Sequence, residues 1–169
     1  MTGGVMNKRE FLLAGAGAAL MTAGSTQAAA SNRITRAEYQ VYLDRFNSND
    51  MSFIDFYHPN VVLELGATEI VGNTGIRDFY ANVKKYIKET VEVTEFISDE
   101  GGIAVEIPTR FECIADWKES FWGVPLKKGQ VMRIVSFGFY KVVDRKFSRV
   151  KAARYKMIHD WQMGDAPKA

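Results

Sequence analysis

The feature that most constrains the fold of this chain is a change of period near residue 90. Up to that point apolar residues recur at helical spacing. Tyr39, Tyr42, Leu43 and Phe46 share one face of a helix predicted over Thr35 to Asn47. Thr35 suits its N-cap, and Asn47-Ser48-Asn49-Asp50 stops it. A short helix over about Met51 to Tyr57 follows, and Pro59-Asn60 is expected to turn the chain into a strand at Val61 to Leu65. Residues 68–71 return beside that strand as a hairpin arm. Asn73-Thr74-Gly75 opens a third helix through Tyr86, with Ile76, Phe79, Tyr80 and Val83 on one face. Beyond residue 90 hydrophobicity alternates instead. Thr90 to Ser98, Ile103 to Asp116, Gln130 to Val143 and Phe147 to His159 read as four long strands. Helices followed by a run of strands must pack on one face of a curved, mostly antiparallel sheet, an α+β layer architecture.

The first thirty residues have another character. Lys8 and Arg9 form a short basic head, Phe11 to Met21 is apolar, and Ala28-Ala29-Ala30 offers small residues for cleavage. This is the layout of an export signal. It resembles a twin-arginine motif with Lys8 where the first Arg would stand, so a periplasmic or exported location is expected. Residues 31–169 then form one domain, with no membrane association once the signal is removed. The 22 Lys and Arg against 20 Asp and Glu are dispersed, which argues against nucleic acid as a partner. Cys113 is the single cysteine and reads as a small core residue. With two histidines, His58 and His159, and no zinc-like spacing, neither a metal nor an organic cofactor is expected.

Three tyrosines stand out: Tyr42 in QVYLDRFN, Tyr57 in FIDFYHPNVV and Tyr80 in GIRDFYANVKK. A phenol, with a pKa of about 10, is neutral at pH 7. Buried beside other phenols, it can donate a proton toward a developing oxyanion. The same residues also fit a core stripe with polar tips.

The element order, with GNTGIRDFYANVKKYI and FIDFYHPNVVLEL, resembles the nuclear transport factor 2-like superfamily over about residues 35–158. Within it the chain is similar to SnoaL-like polyketide cyclases and ketosteroid isomerases. The resemblance implies a cone-shaped sheet with three helices on its concave side, one apolar pocket for a small hydrophobic or aromatic molecule, and a homodimer through the sheet's outer face. The oxyanion-donating Tyr of ketosteroid isomerases falls at Tyr42, and the supporting phenols of some of them fall at Tyr57 and Tyr80. Their proton-shuttling Asp falls at about Leu65, and their second donor near Ser136 or Phe137. Neither acid is present, so the donor half of the site is kept and the base is unassigned.

Strand alternation proposes further wall residues. In Gln130 to Val143 the odd row holds Val131, Arg133, Val135, Phe137 and Phe139. The family-like register places Val150, Ala152, Arg154 and Lys156 on the concave side. Arg133 and Arg154 either clamp an anion or reach past a rim to water. Arg110-Phe111-Glu112 resembles the Arg-x-Asp of limonene epoxide hydrolases, whereas the apolar row Ile103, Val105, Ile107, Phe111 and Cys113 turns Arg110 and Glu112 outward as an ion pair. Glu64 is a further carboxylate within reach of a pocket mouth, and Asp116 could serve as a base from the connection that follows. Trp117, Phe121 and Trp122 lie in a Gly/Pro-containing connection that suits an aromatic lid or a dimer contact. The expected function is cofactor-independent acid–base chemistry, a lyase, isomerase or cyclase step on a hydrophobic aromatic substrate. By resemblance, lignin-derived diaryl compounds would suit it. The alternatives are a non-catalytic module that binds hydrophobic ligands, and an epoxide hydrolase using Arg110 and Glu112.

Overall fold

Thr35 starts the first helix by a reciprocal cap. In the computed structural model, which describes residues 31–164, the Thr35 hydroxyl accepts from the Glu38 backbone N–H. The Glu38 carboxylate in turn accepts from the Thr35 N–H at 2.8 Å. Helix α1 (Arg36–Asn47) then buries Tyr39, Tyr42, Leu43 and Phe46, the stripe expected from the spacing. A six-residue 3-10 helix (Met51–Phe56) follows, capped by the Asp50 side chain. The expected export signal lies outside the described residues.

Tyr57 is already extended. Strand β1 (Tyr57–Leu65) runs straight through Pro59 and Asn60, where a turn was expected. The proline is tolerated because β1 pairs irregularly with its neighbour between Tyr57 and Val62. Strand β2 (Thr68–Val71) closes the hairpin, and α2 (Gly72–Val83) begins at Gly72 with φ +78°, ending before the expected Tyr86. The stretch read as one strand from Thr90 divides into β3 (Ile87–Val91) and β4 (Glu95–Ser98). Both pair with β5 (Gly102–Cys113), and the break falls beside Pro108, which has no N–H to donate. Strands β6 (Gln130–Val143) and β7 (Lys146–Met163) complete the sheet.

The strand order is β2-β1-β7-β6-β5-β3, with β4 also on β5. All pairings are antiparallel except β1 with β7. The helices cover one face, and the main core lies between. Tyr39, Phe53, Tyr57 and Phe147 are fully buried there, each stabilising the fold by roughly 1.5–3 kcal/mol. Gly138 makes room for this aromatic packing, since a Cβ would sit 3.0 Å from the Tyr140 ring and 3.0 Å from Val105. A second cluster, built on Ile87, Phe111, Cys113, Trp117 and Met132, fills the other end. No helix among the described residues is long and apolar enough to cross a membrane.

The register of β5 on β6 defines two rows. Phe111↔Met132, Thr109↔Ile134, Ile107↔Ser136 and Ile103↔Tyr140 pair on the row that carries the core. Arg110↔Arg133, Glu106↔Phe137 and Ala104↔Phe139 pair on the other face. The concave row of β6 is therefore the even one, a correction to the odd row expected. Phe137 (41% exposed) and Phe139 (58%) lie outside. Both rows are rich in apolar residues, so alternation alone does not choose between them.

Candidate active site

A cavity of about 480 Å³ opens between α2 and the concave face of β3, β5, β6 and β7. Leu65, Phe79, Val83, Ile107, Phe111, Met132 and Ile134 make its wall apolar. Phe121 and Trp122, from the connection between β5 and β6, add aromatic edges. Its volume falls in the range of small-molecule sites.

One carboxylate lies on this wall. Glu89 sits between Ile87 and Val91 on β3, paired across from Phe111, so period two points it inward. It makes no hydrogen bond and no ion pair with any described residue. It is half-buried and borders the cavity. Burial without a partner penalises the carboxylate and lifts its pKa to about 7, with the Lys84 cation pulling in the opposite direction. Lys84 is itself fixed. Its Nζ donates to the Phe46 carbonyl at 2.8 Å and lies 4.4 Å from the centroid of the Phe46 ring.

Tyr80, from α2, borders the same cavity, and its hydroxyl makes no hydrogen bond to a described residue. Burial and then the Glu89 charge hold its pKa well above the ordinary phenol value, so it is a neutral donor at any physiological pH. Behind it lies a phenol cluster. The Tyr42 and Tyr57 hydroxyls share a 2.7 Å hydrogen bond, and Tyr39 donates to Tyr140 at 2.8 Å. Burial raises all four, Tyr140 to about 12. Tyr57 and Tyr140 also feel the charge of Glu89.

Three solved structures share this architecture. A provisionally named polyketide cyclase from Pseudomonas putida matches with a TM-score of 0.59 at 19% identity, over 68% of this chain and 86% of that one. A provisionally named ketosteroid isomerase from Kribbella flavida matches with a TM-score of 0.51 at 21% identity, over 79% and 82% of the two chains. A LEH-like epoxide hydrolase from M. tuberculosis matches with a TM-score of 0.57 at 12% identity, over 70% and 82%. The fold is nuclear transport factor 2-like. No family model and no curated protein matches the chain. At these identities the likeness is one of fold, and the chemistry rests on this chain's own residues.

In this nuclear transport factor 2-like cone the expected positions fall as follows. Of the positions where the resemblance places the two missing acids, Leu65 and Ser136 line the cavity and Phe137 lies on the outer face. Tyr80 and Arg154 line it too, with Arg154 opposite Ser136 on the concave row. Tyr42 and Tyr57 are hydrogen-bonded as a chain of phenols would require, but they lie in the core and do not border the cavity. A bulge at Tyr155 turns Lys156 opposite Val135, off the concave side.

The other candidates are elsewhere. Arg133 lies on the outer face opposite Arg110. Arg110 and Glu112 are bonded to each other there at 2.7 Å, the outward alternative for that motif. Glu64, paired across from Lys151, holds Arg149 and Lys151 outside the cavity. Asp116 holds Lys127 at 2.8 Å and caps the Lys128 N–H, so it anchors its loop. Trp117 is buried against Tyr86 in a parallel stack, with ring centroids 4.8 Å apart. Of the expected lid, Phe121 reaches the cavity, joined by Trp122. Glu89 was not anticipated. Its signal is the alternation Ile87-x-Glu89-x-Val91, hidden because the strand was expected to start at Thr90.

Proposed function

We propose that this protein is a small SnoaL-like enzyme that performs cofactor-independent proton transfer on a hydrophobic, aromatic molecule. The observation that carries the proposal is the Glu89 carboxyl on an apolar cavity wall, without a hydrogen-bond or ion-pair partner among the described residues, with a pKa of about 7. A base poised near neutrality takes a proton at pH 7 and returns it in the same turnover. In the proposed step Glu89 removes a proton from a carbon next to a carbonyl, and the electron pair moves onto the carbonyl oxygen. Tyr80 donates a hydrogen bond to that developing enolate, with Ser136 on the same wall. Collapse of the enolate returns the proton at another carbon, expels a leaving group, or forms a carbon–carbon bond. These outcomes are an isomerase, a lyase and a cyclase. A diaryl compound bearing a carbonyl, of the lignin-derived kind, suits such a wall.

The test is hydrogen–deuterium exchange in D2O on aryl ketones such as 2-tetralone, followed by NMR. Wild-type protein is expected to exchange the acidic carbon positions, and Glu89→Gln to lose about 10²–10⁴-fold of that rate. Equal rates would remove the base from Glu89. A binding module without catalysis would show no exchange in either protein. Epoxide opening through Arg110 and Glu112 is set aside, because that pair lies on the outer face. The proposal extends to a homodimer through the outer face, which exposes Ile97, Phe137, Phe139 and Tyr155. It extends also to a periplasmic location after export. Sedimentation velocity and fractionation of a tagged full chain test these two points.

A further inference from the structure

Arg154 is an exposed cation that borders the cavity, with no counter-ion among the described residues. It makes no hydrogen bond and no ion pair with any described residue, whereas its neighbours on β7 are taken. Arg149 and Lys151 hold Glu64, and the Tyr155 hydroxyl donates to Glu106 at 2.9 Å. Ala152 and Ala153, the residues before it on β7, also line the cavity and are too small to cover it. Glu89 borders the same cavity, yet no ion pair within 4.0 Å joins the two. One cavity thus holds a cation and an acid that are not paired with each other. A guanidinium cannot shed its proton, and its planar fork matches an oxyanion. Much of the wall they share is aromatic. Phe79 meets Phe121 at 5.3 Å, Phe121 meets Trp122 at 5.4 Å, and Phe111 meets Trp122 at 5.3 Å, all close to edge-to-face.

We infer that the ligand of this site is an aromatic molecule carrying an oxyanion, a carboxylate or phenolate, bound by Arg154 with its ring against Phe79, Phe121 and Trp122. The inference rests on the acid–base reading for the identity of the site but makes a separate claim about what fills it. The charge sits on Arg154 and the reacting carbon faces Glu89, so anion binding and proton removal involve different residues.

Calorimetric titration at pH 8 with 2-naphthoate and its neutral isostere methyl 2-naphthoate tests this. Wild-type protein is expected to bind the carboxylate about tenfold or more tightly than the ester, the worth of a charge-assisted hydrogen-bond pair. Arg154→Gln is expected to erase that preference, Arg154→Lys to restore part of it, and Glu89→Gln to retain it. Because Arg154 has no partner among the described residues, its variants are expected to unfold at the wild-type temperature. A wild-type protein without preference, an Arg154→Gln variant that keeps it, or no binding of either ligand at about millimolar concentration overturns the inference. Loss of deuterium exchange in wild type with the naphthoate preference intact would defeat the acid–base reading alone.

Discussion

Replacing Glu89 by Gln is expected to stabilise the protein, and only above a defined pH. The carboxyl is raised from an ordinary value of 4.5 to about 7 by burial, with the Lys84 cation as the opposing influence. A carboxyl with a raised folded-state pKa takes up a proton on folding between those two values. The stability associated with its neutral form is thus fully present below about pH 4.5 and is lost as the pH rises through 7. The interval corresponds to at most about 3 kcal/mol at pH 8, a large part of a typical folding free energy. Gln keeps the shape and the neutral polarity, so its contribution is flat with pH. Urea unfolding of both proteins from pH 4 to pH 8 reads the difference directly. The variant is expected to match wild type near pH 4 and to exceed it at pH 8, with the midpoint shifted by about 1–2 M. Lys84, whose cation lowers the Glu89 pKa, and Tyr80, Tyr57 and Tyr140, which feel the Glu89 charge, are present in both proteins. A difference independent of pH would refute the reasoning, because it would mean that Glu89 folds with its ordinary pKa.

Three more outcomes follow from the geometry. Lys84→Met keeps the aliphatic stem and removes the cation that lowers the Glu89 pKa, so the acidic limb of a pH–rate profile for deuterium exchange is expected to move above pH 7. An unmoved limb would show that Lys84 does not act on Glu89. Tyr42→Phe leaves the Tyr57 hydroxyl buried without its 2.7 Å partner, and urea unfolding is expected to show a loss of about 1–3 kcal/mol. Since Tyr42 does not border the cavity, the same variant is expected to retain most of its exchange activity, and loss of that activity would return the donor role to Tyr42. Gly138→Val should cost about 1–3 kcal/mol or more in the same assay, because its Cβ alone would crowd Tyr140 and Val105.

The sequence was legible where one physical rule governed. The helical stripe of α1 and the alternation in β5 each had a single buried face, so period fixed both the element and its orientation. Arg110 and Glu112 could be placed outside for the same reason. Legibility failed where two rules competed. In β6 the outer row carries Phe137 and Phe139 while the inner row carries Ser136 and Gly138 among its apolar residues, so hydrophobicity does not choose between the faces. In β7 a bulge at Tyr155 changes the side of the row partway along, and no residue type announces it. Glu89 was hidden by its surroundings. With the third helix expected through Tyr86 and the strand from Thr90, residues 87–89 fell between elements, whereas Ile87 and Val91 pull that segment into the sheet and Glu89 with it. The resemblance put one acid position at Leu65 and the other at Ser136 or Phe137, of which Leu65 and Ser136 line the cavity, whereas the carboxyl present there, Glu89, sits at the other edge of the sheet, on β3.

The assignment of proton transfer to Glu89, which has no hydrogen-bond or ion-pair partner among the described residues, turns on how its carboxyl titrates. Carbon-detected NMR of protein labelled at the glutamate carboxyl carbon, with Glu89→Gln to assign the resonance, measures its titration without any substrate. Glu89 is expected to titrate at about pH 7. A Glu89 resonance that titrates near 4.5, with the bulk of the surface glutamates, would contradict it.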